Sequence, residues 1–210
     1  MLKDEQIIRL AQFSAATLHE AQGQRGALAS CIKPIHPLPR LVGRAFTVDC
    51  PAGDNLTLHY ALTRVARGEV LVVDAKGDVE AGPWGDLMTL AAQQAGVAGL
   101  VIDGAVRDVD AIAQLGFPVF ARGVSIKGTS KSRAGRLNVP VNCAGVVVEP
   151  GDVVVGDRDG VVVVPAARVA EVLEAAQRRE QKEEILRGKI RAGITTVELL
   201  DLGRYWVDEA

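Results

Sequence analysis

An aspartate and a following Arg-Asp pair are the residues best placed to do chemistry in this 210-residue chain. Asp86 comes directly after a glycine-rich turn, residues 82–85, and residues 87–106 separate it from Arg107 and Asp108. The intervening segment is typical of a helix followed by a short buried strand, whose carboxyl end is the usual ligand side of an α/β unit. Two carboxylates and a guanidinium at that end can hold a hard metal ion beside a small anionic substrate.

The start of the predicted helix is itself suited to an anion. The first amides of a helix have no partner inside the helix and carry a partial positive charge. Gly82 and Gly85 let the backbone approach a ligand closely. A simpler interpretation is also open: Asp86 only caps its helix, and Arg107 and Asp108 form a surface ion pair. Asp103 is a third candidate metal ligand, or it only ends its strand.

Other catalytic motifs are absent from the sequence. His19-Glu20 lacks the second histidine of a zinc protease, and the chain contains no G-x-S-x-G turn, no complete G-x-G-x-x-G and no P-loop. The basic stretch 122–140 could contact a phosphate or a partner subunit. Such a run is more often a solvated face, so we predict a loop there.

The composition excludes several functional classes. A formal net charge of −2 and an aromatic content of 4% favour neither electrostatic attraction to nucleic acid nor base stacking. Cys31, Cys50 and Cys143 form no CxxC pair and are predicted to be reduced thiols. The amino terminus does not resemble a signal peptide, and no apolar run reaches the roughly 20 residues that span a bilayer. We therefore expect a soluble cytoplasmic enzyme with no nucleic-acid or membrane partner.

The apolar periodicity predicts one α/β domain over residues 1–210. Loops are predicted over 25–39 and 122–140. Ser14 or Thr17 could cap the second helix, and Asp54 or Asn55 the third. Helices are predicted over 4–12, 15–22, 55–67, 86–95, 105–115 and 166–191, with one short helix in 194–210. Strands are predicted over 41–50, 69–74, 98–103, 117–121, 144–149, 152–156 and 160–164.

These elements fall into two groups along the chain. Strands and helices alternate up to residue 121, whereas residues 140–164 form a β-meander. Parallel strands need helical crossovers and a meander needs only turns, so a mixed sheet, or two packed sheets with outer helices, accommodates both. A doubly wound nucleotide-binding fold fits poorly because the meander has no helices.

Longer motifs extend this pattern over nearly the whole chain, which resembles the RraA-like family. That family includes class II aldolases for 4-hydroxy-4-methyl-2-oxoglutarate and 4-carboxy-4-hydroxy-2-oxoadipate. Its mark is the spacing of Asp86 from Arg107 and Asp108. The supporting matches are HEAQGQRG (19–26), PAGDN (51–55), GPWGDL (82–87), GAVRDVD (104–110), GFPVFARG (116–123) and the valine-rich stretch 140–165.

The resemblance implies a fold and an assembly. The fold is α/β, of the β/β/α swivelling type, with mixed sheets and outer helices. The assembly is a homotrimer, often paired into a hexamer, with the active site in a cleft between neighbouring subunits. The implied cofactor is a divalent metal, Mg²⁺ or Mn²⁺, and the implied substrate is a small 2-oxo acid.

The resemblance also implies roles for individual residues. Asp108 is expected to bind the metal, Asp86 to hold a metal-bound water, and Arg107 to contact the substrate and the leaving oxygen. Asp86 and Arg107 are thus the candidate catalytic residues. The pyruvate carboxylate is expected to bind the backbone amides of Gly85, Asp86, Leu87 and Met88.

The implied activity is cleavage of the two tricarboxylate substrates to pyruvate, with oxaloacetate decarboxylation as a side activity. One position departs from the aldolase pattern: Ile194 stands where the aldolases carry a glutamate that reaches the metal-bound waters of the neighbouring subunit, and Glu198, four residues further on, is a candidate to replace it. Two alternatives stay open. One is a related enzyme for another 2-oxo acid, and the other is a regulator that inhibits RNase E by protein–protein binding.

Overall fold

The fold comes from a computed structural model that describes residues 4–37 and 40–206. Its helices are α1 (Asp4–Leu10), α2 (Ala15–Ala21), α3 (Leu56–Ala61), α4 (Asp86–Ala95), α5 (Val109–Leu115), α6 (Val169–Arg191) and α7 (Thr196–Leu199). Its strands are β1 (Lys33–Pro34), β2 (Leu41–Asp49), β3 (Val70–Asp78), β4 (Gly99–Val106), β5 (Val119–Val124), β6 (Arg136–Leu137), β7 (Val141–Cys143), β8 (Val146–Val148), β9 (Val153–Gly156) and β10 (Val161–Val164).

The main sheet is mixed, in the strand order β1-β5-β4-β3-β2-β9-β10, with β6 paired to β2. Strands β2 to β5 run parallel because α3, α4 and α5 provide the crossovers between them. Strands β9 and β10 add an antiparallel hairpin beside β2, and β7 pairs with β8 in a separate ribbon. The predicted α/β fold with mixed sheets and outer helices is confirmed.

Apolar side chains fill three layers around this sheet. The layer between the parallel strands and helices α3 to α5 contains the fully buried Trp84. A second layer lies under the β7–β8 ribbon and includes Phe120 and Cys143. In the third, α1, α2 and the first turns of α6 cover β9 and β10. Trp84 therefore ties the glycine-rich turn of the candidate site to the core.

Several predicted boundaries are wrong, and the differences matter for the site. Strands β3 and β4 continue beyond 69–74 and 98–103, to Asp78 and Val106, because β4 keeps its pairing with β5 as far as Val124. The helix predicted over 105–115 begins only at Val109. Arg107 and Asp108 consequently lie in the turn between strand and helix.

The remaining corrections concern short elements. The helix predicted over 55–67 ends at Ala61, where the hydrogen bonds tighten to three-residue spacing. The loops predicted over 25–39 and 122–140 contain β1, the end of β5 and β6, and residues 38–39 lie outside the described part. Of the strand predicted over 144–149 only β8 is formed, because residues 144–145 make a left-handed turn that joins β8 to the preceding strand β7.

The other predicted elements are confirmed to within a few residues. Ser14 is the cap of α2, since its hydroxyl accepts a hydrogen bond from the Thr17 amide. The short tail helix is present as α7, and all three cysteines are free thiols. Within the described ranges, every helix is too short or too polar to cross a membrane.

Three aspartates lie side by side across the parallel strands. Asp49 is in register with Asp74, and Asp74 with Asp103. Lys76 neutralises the first two, with its Nζ atom 2.5 Å from Asp49 Oδ1 and 2.7 Å from Asp74 Oδ2. The hydrogen bond from Lys76 is the largest influence on Asp49 and lowers the pKa of that carboxyl. Lys76 thus offsets the repulsion between the neighbouring carboxylates of Asp49 and Asp74.

Replacing Lys76 by methionine is expected to lower the free energy of unfolding by about 1–2 kcal/mol at pH 7, because two adjacent carboxylates lose their shared cation. The depressed pKa of Asp49 contributes stability above its unfolded pKa, and this contribution is lost as the pH falls through the folded pKa. Urea unfolding at pH 7 and at steps below about pH 4 measures the difference. The exposed Lys182 of α6, changed to methionine, is the control. Equal stability losses in the two variants at pH 7 would contradict the assignment.

Candidate active site

The glycine-rich turn, residues 82–85, is fixed on three sides. The Trp84 ring is fully buried in the core beneath it. The Asn55 amide Nδ2 donates to the Pro83 carbonyl at 2.9 Å, and the Arg107 amide donates to the Trp84 carbonyl at 2.9 Å. The turn is therefore held by α3 and by the chain that leaves β4.

Asp108 reaches back to the start of α4. Its backbone is left-handed (φ 58°), a conformation that aspartate tolerates better than most residues, and its Oδ2 atom lies 3.3 Å from the Asp86 amide nitrogen. Arg107 Nε lies 3.3 Å from the same oxygen. A Cβ atom at Gly85 would stand 2.3 Å from Asp108 Oδ2, so only glycine leaves room for this carboxylate. The structure thus places Asp86, Arg107 and Asp108 together.

Two of the amides expected to bind a substrate carboxylate have partners within the site. The Asp86 amide faces Asp108 Oδ2, and the Leu87 amide donates to Asp86 Oδ1 at 2.7 Å. Gly85 occupies the cap position, so Asp86 is the first residue of α4 and not its cap. The positive end of α4 is satisfied by the site's own carboxylates, and an anion binding there has to replace them.

The glycine-rich turn, the start of α4 and Arg107 line a cavity of about 230 Å³, and Asp108 lies just outside this lining, against the Asp86 amide and Arg107. Its other walls come from two segments far away in the sequence, namely α3 and the segment that follows β5. From these segments come Asn55, His59, Gly128, Thr129 and Lys131. No spacing in the sequence points to these residues: Asn55 is predicted only as a candidate helix cap, and Lys131 only as part of a loop. Only the PAGDN match pointed to Asn55.

Asn55 brings an unpaired acceptor to this cavity. The residue is 7% exposed, and its Oδ1 atom has no hydrogen-bond partner among the described residues. A buried acceptor without a donor is costly, so this amide oxygen destabilises the part of the cavity wall in which it lies.

The charges around the cavity are of both signs. Among the lining residues Arg107 and Lys131 are cations and Asp86 is a carboxylate, and the Asp108 carboxylate lies next to Arg107 just outside the lining. The Arg107–Asp108 ion pair is long, and its side chains are 44% and 37% exposed, so solvent weakens it. Arg107 and Asp108 can therefore each give up this ion pair and contact a ligand instead.

The carboxylates of the site suit a hard divalent cation. The described ranges contain no group of three or more His, Cys, Asp or Glu residues arranged to hold a metal. Mg²⁺ and Mn²⁺ are commonly held by one or two carboxylates, with water and substrate oxygens completing the coordination. Asp108, with Asp86 beside it, provides a donor set of that kind.

Two further acidic residues have structural partners elsewhere. Asp103 lies inside β4 and not at its end; Arg122 Nε and the Ala144 amide donate to its two oxygens at 2.5 and 2.9 Å. Glu198 closes a capping box on α7, accepting from the Thr195 amide at 3.0 Å. That hydrogen bond lowers the pKa of Glu198. Helix capping accounts for Glu198 without any role at a metal.

Changing Gly85 to alanine is expected to weaken Mg²⁺ binding by about 10–100-fold, as when a supporting partner of a metal ligand is altered. The new Cβ atom would overlap Asp108 Oδ2, and the flexible Asp108 side chain has to swing away. Because the overlap is with a side chain, the melting temperature should change little. Titration calorimetry with Mg²⁺ and thermal unfolding measure both effects. Gly188→Ala on α6, with open space around its Cβ, is the control, and unchanged Mg²⁺ affinity in Gly85→Ala would contradict the geometry.

The chain is similar to known proteins in both sequence and fold. The sequence profile of the RraA-like family, described as Aldolase/RraA, matches residues 10–163. A protein of Halalkalibacterium halodurans, provisionally named a 4-hydroxy-4-methyl-2-oxoglutarate aldolase, is 42% identical over 157 residues, which is 75% of each chain.

Two solved structures share the fold over nearly the whole chain. An uncharacterized protein from Pseudomonas syringae has a TM-score of 0.83 at 33% identity, over 92% of both chains. Streptomyces coelicolor RraAS2, described as an unusual member of the RNase ES inhibitor RraA protein family, has a TM-score of 0.81 at 33% identity, over 90% of this chain and 100% of its own. The match of the family model over residues 10–163, the 42% identical relative and the shared fold show that this chain belongs to the RraA-like family.

Proposed function

We propose that the protein is a divalent-metal-dependent lyase that releases pyruvate from a 2-oxo acid. Its substrate would be 4-hydroxy-4-methyl-2-oxoglutarate or 4-carboxy-4-hydroxy-2-oxoadipate, with oxaloacetate decarboxylation as a side activity. The observation that carries this proposal is a cavity lined by the start of α4 and Arg107, with the Asp108 carboxylate directly beside it at the Asp86 amide. The aldolase name of the 42% identical relative supports it.

The substrate would bind at two parts of this site, the amides that begin α4 and a metal ion held beside them. The carboxylate of the 2-oxo acid would lie at the α4 amides, where the helix end favours negative charge. Asp108, with Asp86 beside it, would hold Mg²⁺ or Mn²⁺ near the carboxylate and keto oxygens. When bound, the ion would act as a Lewis acid that stabilises the enolate left when the C–C bond breaks.

Arg107 and Asp86 would act on the two products of that cleavage. The Arg107 guanidinium would stabilise the charge that develops on the oxygen of the departing carbonyl fragment. Asp86 would orient a water that takes the proton of the substrate hydroxyl as the C–C bond breaks and returns a proton to the pyruvyl carbon. In oxaloacetate the bond to the distal carboxylate breaks and CO₂ leaves, which gives the same enolate. Both reactions would therefore require the metal and the water at Asp86, whereas Arg107 would act on the departing oxygen in the aldol cleavage.

We propose that the protein assembles as a homotrimer or hexamer with the cavity near a subunit boundary. Large apolar side chains lie exposed beside the cavity, at Leu87 on α4 and at Val124 and Ile126 near the end of β5. Exposed apolar groups in one region are typical of a surface that another subunit covers. The distal part of the substrate would then contact two chains.

The test is pyruvate formation from oxaloacetate and from 4-hydroxy-4-methyl-2-oxoglutarate, with Mg²⁺ or Mn²⁺ and with a chelator. We expect turnover of at least one substrate that is lost with the chelator and restored by added metal. A panel of other 2-oxo acids would show whether a related substrate is preferred. No metal-dependent turnover of any of them would exclude the lyase.

A second function is favoured by the likeness to RraAS2, whose description places it in an RNase ES inhibitor family. Inhibition by protein–protein contact would need a surface and no metal. An RNase E cleavage assay with added protein tests it directly. Inhibition by the wild type and equally by Asp108→Asn would support the regulator, whereas no inhibition by either protein would exclude it.

A further inference from the structure

A buried carboxylate, Asp54, lies beside the cavity but outside its lining. It stands between β2 and α3, directly before Asn55, and is 1% exposed. Its Oδ1 atom accepts a hydrogen bond from the Leu56 amide at 2.9 Å, which satisfies the start of α3. This hydrogen bond accounts for Oδ1, whereas Oδ2 faces residues 130–133.

The second oxygen binds the chain around Lys131. Asp54 Oδ2 accepts hydrogen bonds from Ser130 Oγ at 2.5 Å, from the Ser132 amide at 2.8 Å and from the Arg133 amide at 3.1 Å. The Ser132 hydroxyl adds a longer contact at 3.3 Å. Lys131, which lines the cavity, therefore lies between two residues that are both tied to one buried oxygen.

The backbone reinforces the same attachment. The Ser130 amide donates to the Gly53 carbonyl at 3.0 Å, and the Asn55 amide donates to the Ser130 carbonyl at 3.0 Å. These bonds form a short parallel bridge on either side of Asp54. The bridge fixes Ser130, and the Asp54 side chain holds the amides of Ser132 and Arg133; Arg133 also donates to the Ala52 carbonyl through its side chain.

The chemistry of this contact requires an ionised acid. Burial raises the pKa of Asp54, but the hydrogen bonds from Ser130, Ser132, Leu56 and Arg133 outweigh burial and hold the pKa well below its usual range. A carboxylate only accepts hydrogen bonds, so it can satisfy all these donors together. An asparagine at this position has to turn an NH₂ group toward donors on one side.

We propose that Asp54 is a positioning residue for substrate binding, which fixes residues 130–133 so that the Lys131 ammonium stays at the cavity to receive an anionic group of the 2-oxo acid. This inference rests on the proposed function. Asp54 acts through Lys131 and not on the reacting atoms. Its loss should therefore weaken binding in the ground state and the transition state alike, and leave kcat nearly unchanged.

The kinetic test uses Asp54→Asn with oxaloacetate and saturating Mg²⁺. We expect KM to rise about tenfold, as for loss of a hydrogen bond to a charged group, with kcat within about twofold of the wild type. Lys131→Met should raise KM similarly, and the double variant should be no worse than Lys131→Met alone. Additive effects, or a wild-type KM in Asp54→Asn, would overturn the inference.

Asp152→Asn is the matched control. Asp152 is also buried, and it accepts hydrogen bonds from the Glu149 and Ala166 amides away from the cavity. It should lose stability without a change in KM, and an equal rise in KM there would overturn the specific role of Asp54. Ser130→Ala is the milder variant if Asp54→Asn does not fold. It should raise KM in the same direction, and a wild-type KM would count against the inference.

A second readout does not depend on activity. Trypsin cuts after Lys131 and Arg133, so native-state digestion followed by mass spectrometry reports how firmly this segment is held. We expect faster cutting at these two sites in Asp54→Asn but not in Asp152→Asn. If the wild type turns over no 2-oxo acid, the proposed function fails while digestion still tests the anchor. If turnover is normal and digestion is unchanged in Asp54→Asn, only the anchor fails.

Discussion

Replacing Asp108 by asparagine is expected to abolish Mg²⁺-dependent pyruvate formation, lowering kcat/KM by about 10³-fold, the equivalent of several kcal/mol of Lewis-acid stabilisation. Asparagine keeps the size of the side chain and tolerates the left-handed backbone at this position, so the fold should persist. What changes is the charge next to the Asp86 amide and Arg107 Nε. Oxaloacetate turnover and Mn²⁺ titration calorimetry measure the two effects.

The control for this prediction lies two residues further along the chain. Asp110 is exposed in the first turn of α5, and Asp110→Asn removes the same charge without touching the α4 turn. Its metal affinity and turnover should remain close to those of the wild type. If Asp108→Asn binds Mn²⁺ as the wild type does, the ligand assignment is wrong, whatever happens to turnover.

Because the carboxylates of the site itself lie at the amides that begin α4, metal binding and substrate binding are expected to be coupled. Asp108 Oδ2 faces the Asp86 amide, and Asp86 Oδ1 accepts from the Leu87 amide. A cation that attracts these carboxylates frees the amides, and the freed amides then favour the carboxylate of a substrate. Metal binding and substrate binding should therefore each increase the affinity for the other. The metal takes up the carboxylates of Asp86 and Asp108, and the substrate carboxylate bonds to the amides that they leave.

The central unit of the fold could be predicted from the sequence because its signals are local. The glycine-rich turn, the periodicity of α4 and the apolar run of β4 follow one another within 82–106, and the expected order of helix, strand and turn is present. The end of β4 could not be located, since its last residues are set by pairing with β5 and not by their own propensity. That pairing is what keeps Arg107 and Asp108 in a turn.

The rest of the cavity depends on contacts between distant segments. Lys131 lies in a polar, basic stretch that resembles any solvated loop, and the bonds of its neighbours to Asp54 and to the backbone of residues 53–55 bring it to Asn55 and the α4 turn. The row formed by Asp49, Asp74 and Asp103 likewise needs the register of three strands. Periodicity predicts which residues form a strand, but it does not predict which residues of two strands become neighbours.

The structural role of Glu198, in contrast, can be predicted from residues next to it in the sequence. Thr195 and Glu198 have the T-x-x-E spacing of a capping box, and the structure forms both of its hydrogen bonds. The resemblance to aldolases drew attention to this glutamate as a substitute for the one absent at Ile194. Its cap on α7 gives Glu198 a complete structural explanation.

Changing Arg107 to alanine is expected to lower kcat for 4-hydroxy-4-methyl-2-oxoglutarate by about 10²–10³-fold, as when a donor to a developing oxyanion is removed. Mg²⁺ affinity should stay near that of the wild type, because Arg107 approaches Asp108 only through a long, half-exposed ion pair. The backbone bond from the Arg107 amide to the Trp84 carbonyl is kept, so the turn should stay in place. Steady-state kinetics and titration calorimetry on one preparation measure both quantities.

The lysine variant separates charge from geometry at this position. Arg107→Lys retains a cation but loses the planar fork that can donate two hydrogen bonds to one acceptor. If Arg107 stabilises the oxygen of the departing fragment, lysine should restore part of kcat and leave KM almost unchanged. A rise in KM with normal kcat in both variants would instead show that Arg107 binds the ground state, and its role would then resemble that proposed for Lys131. Wild-type kinetics in Arg107→Ala would remove it from the mechanism.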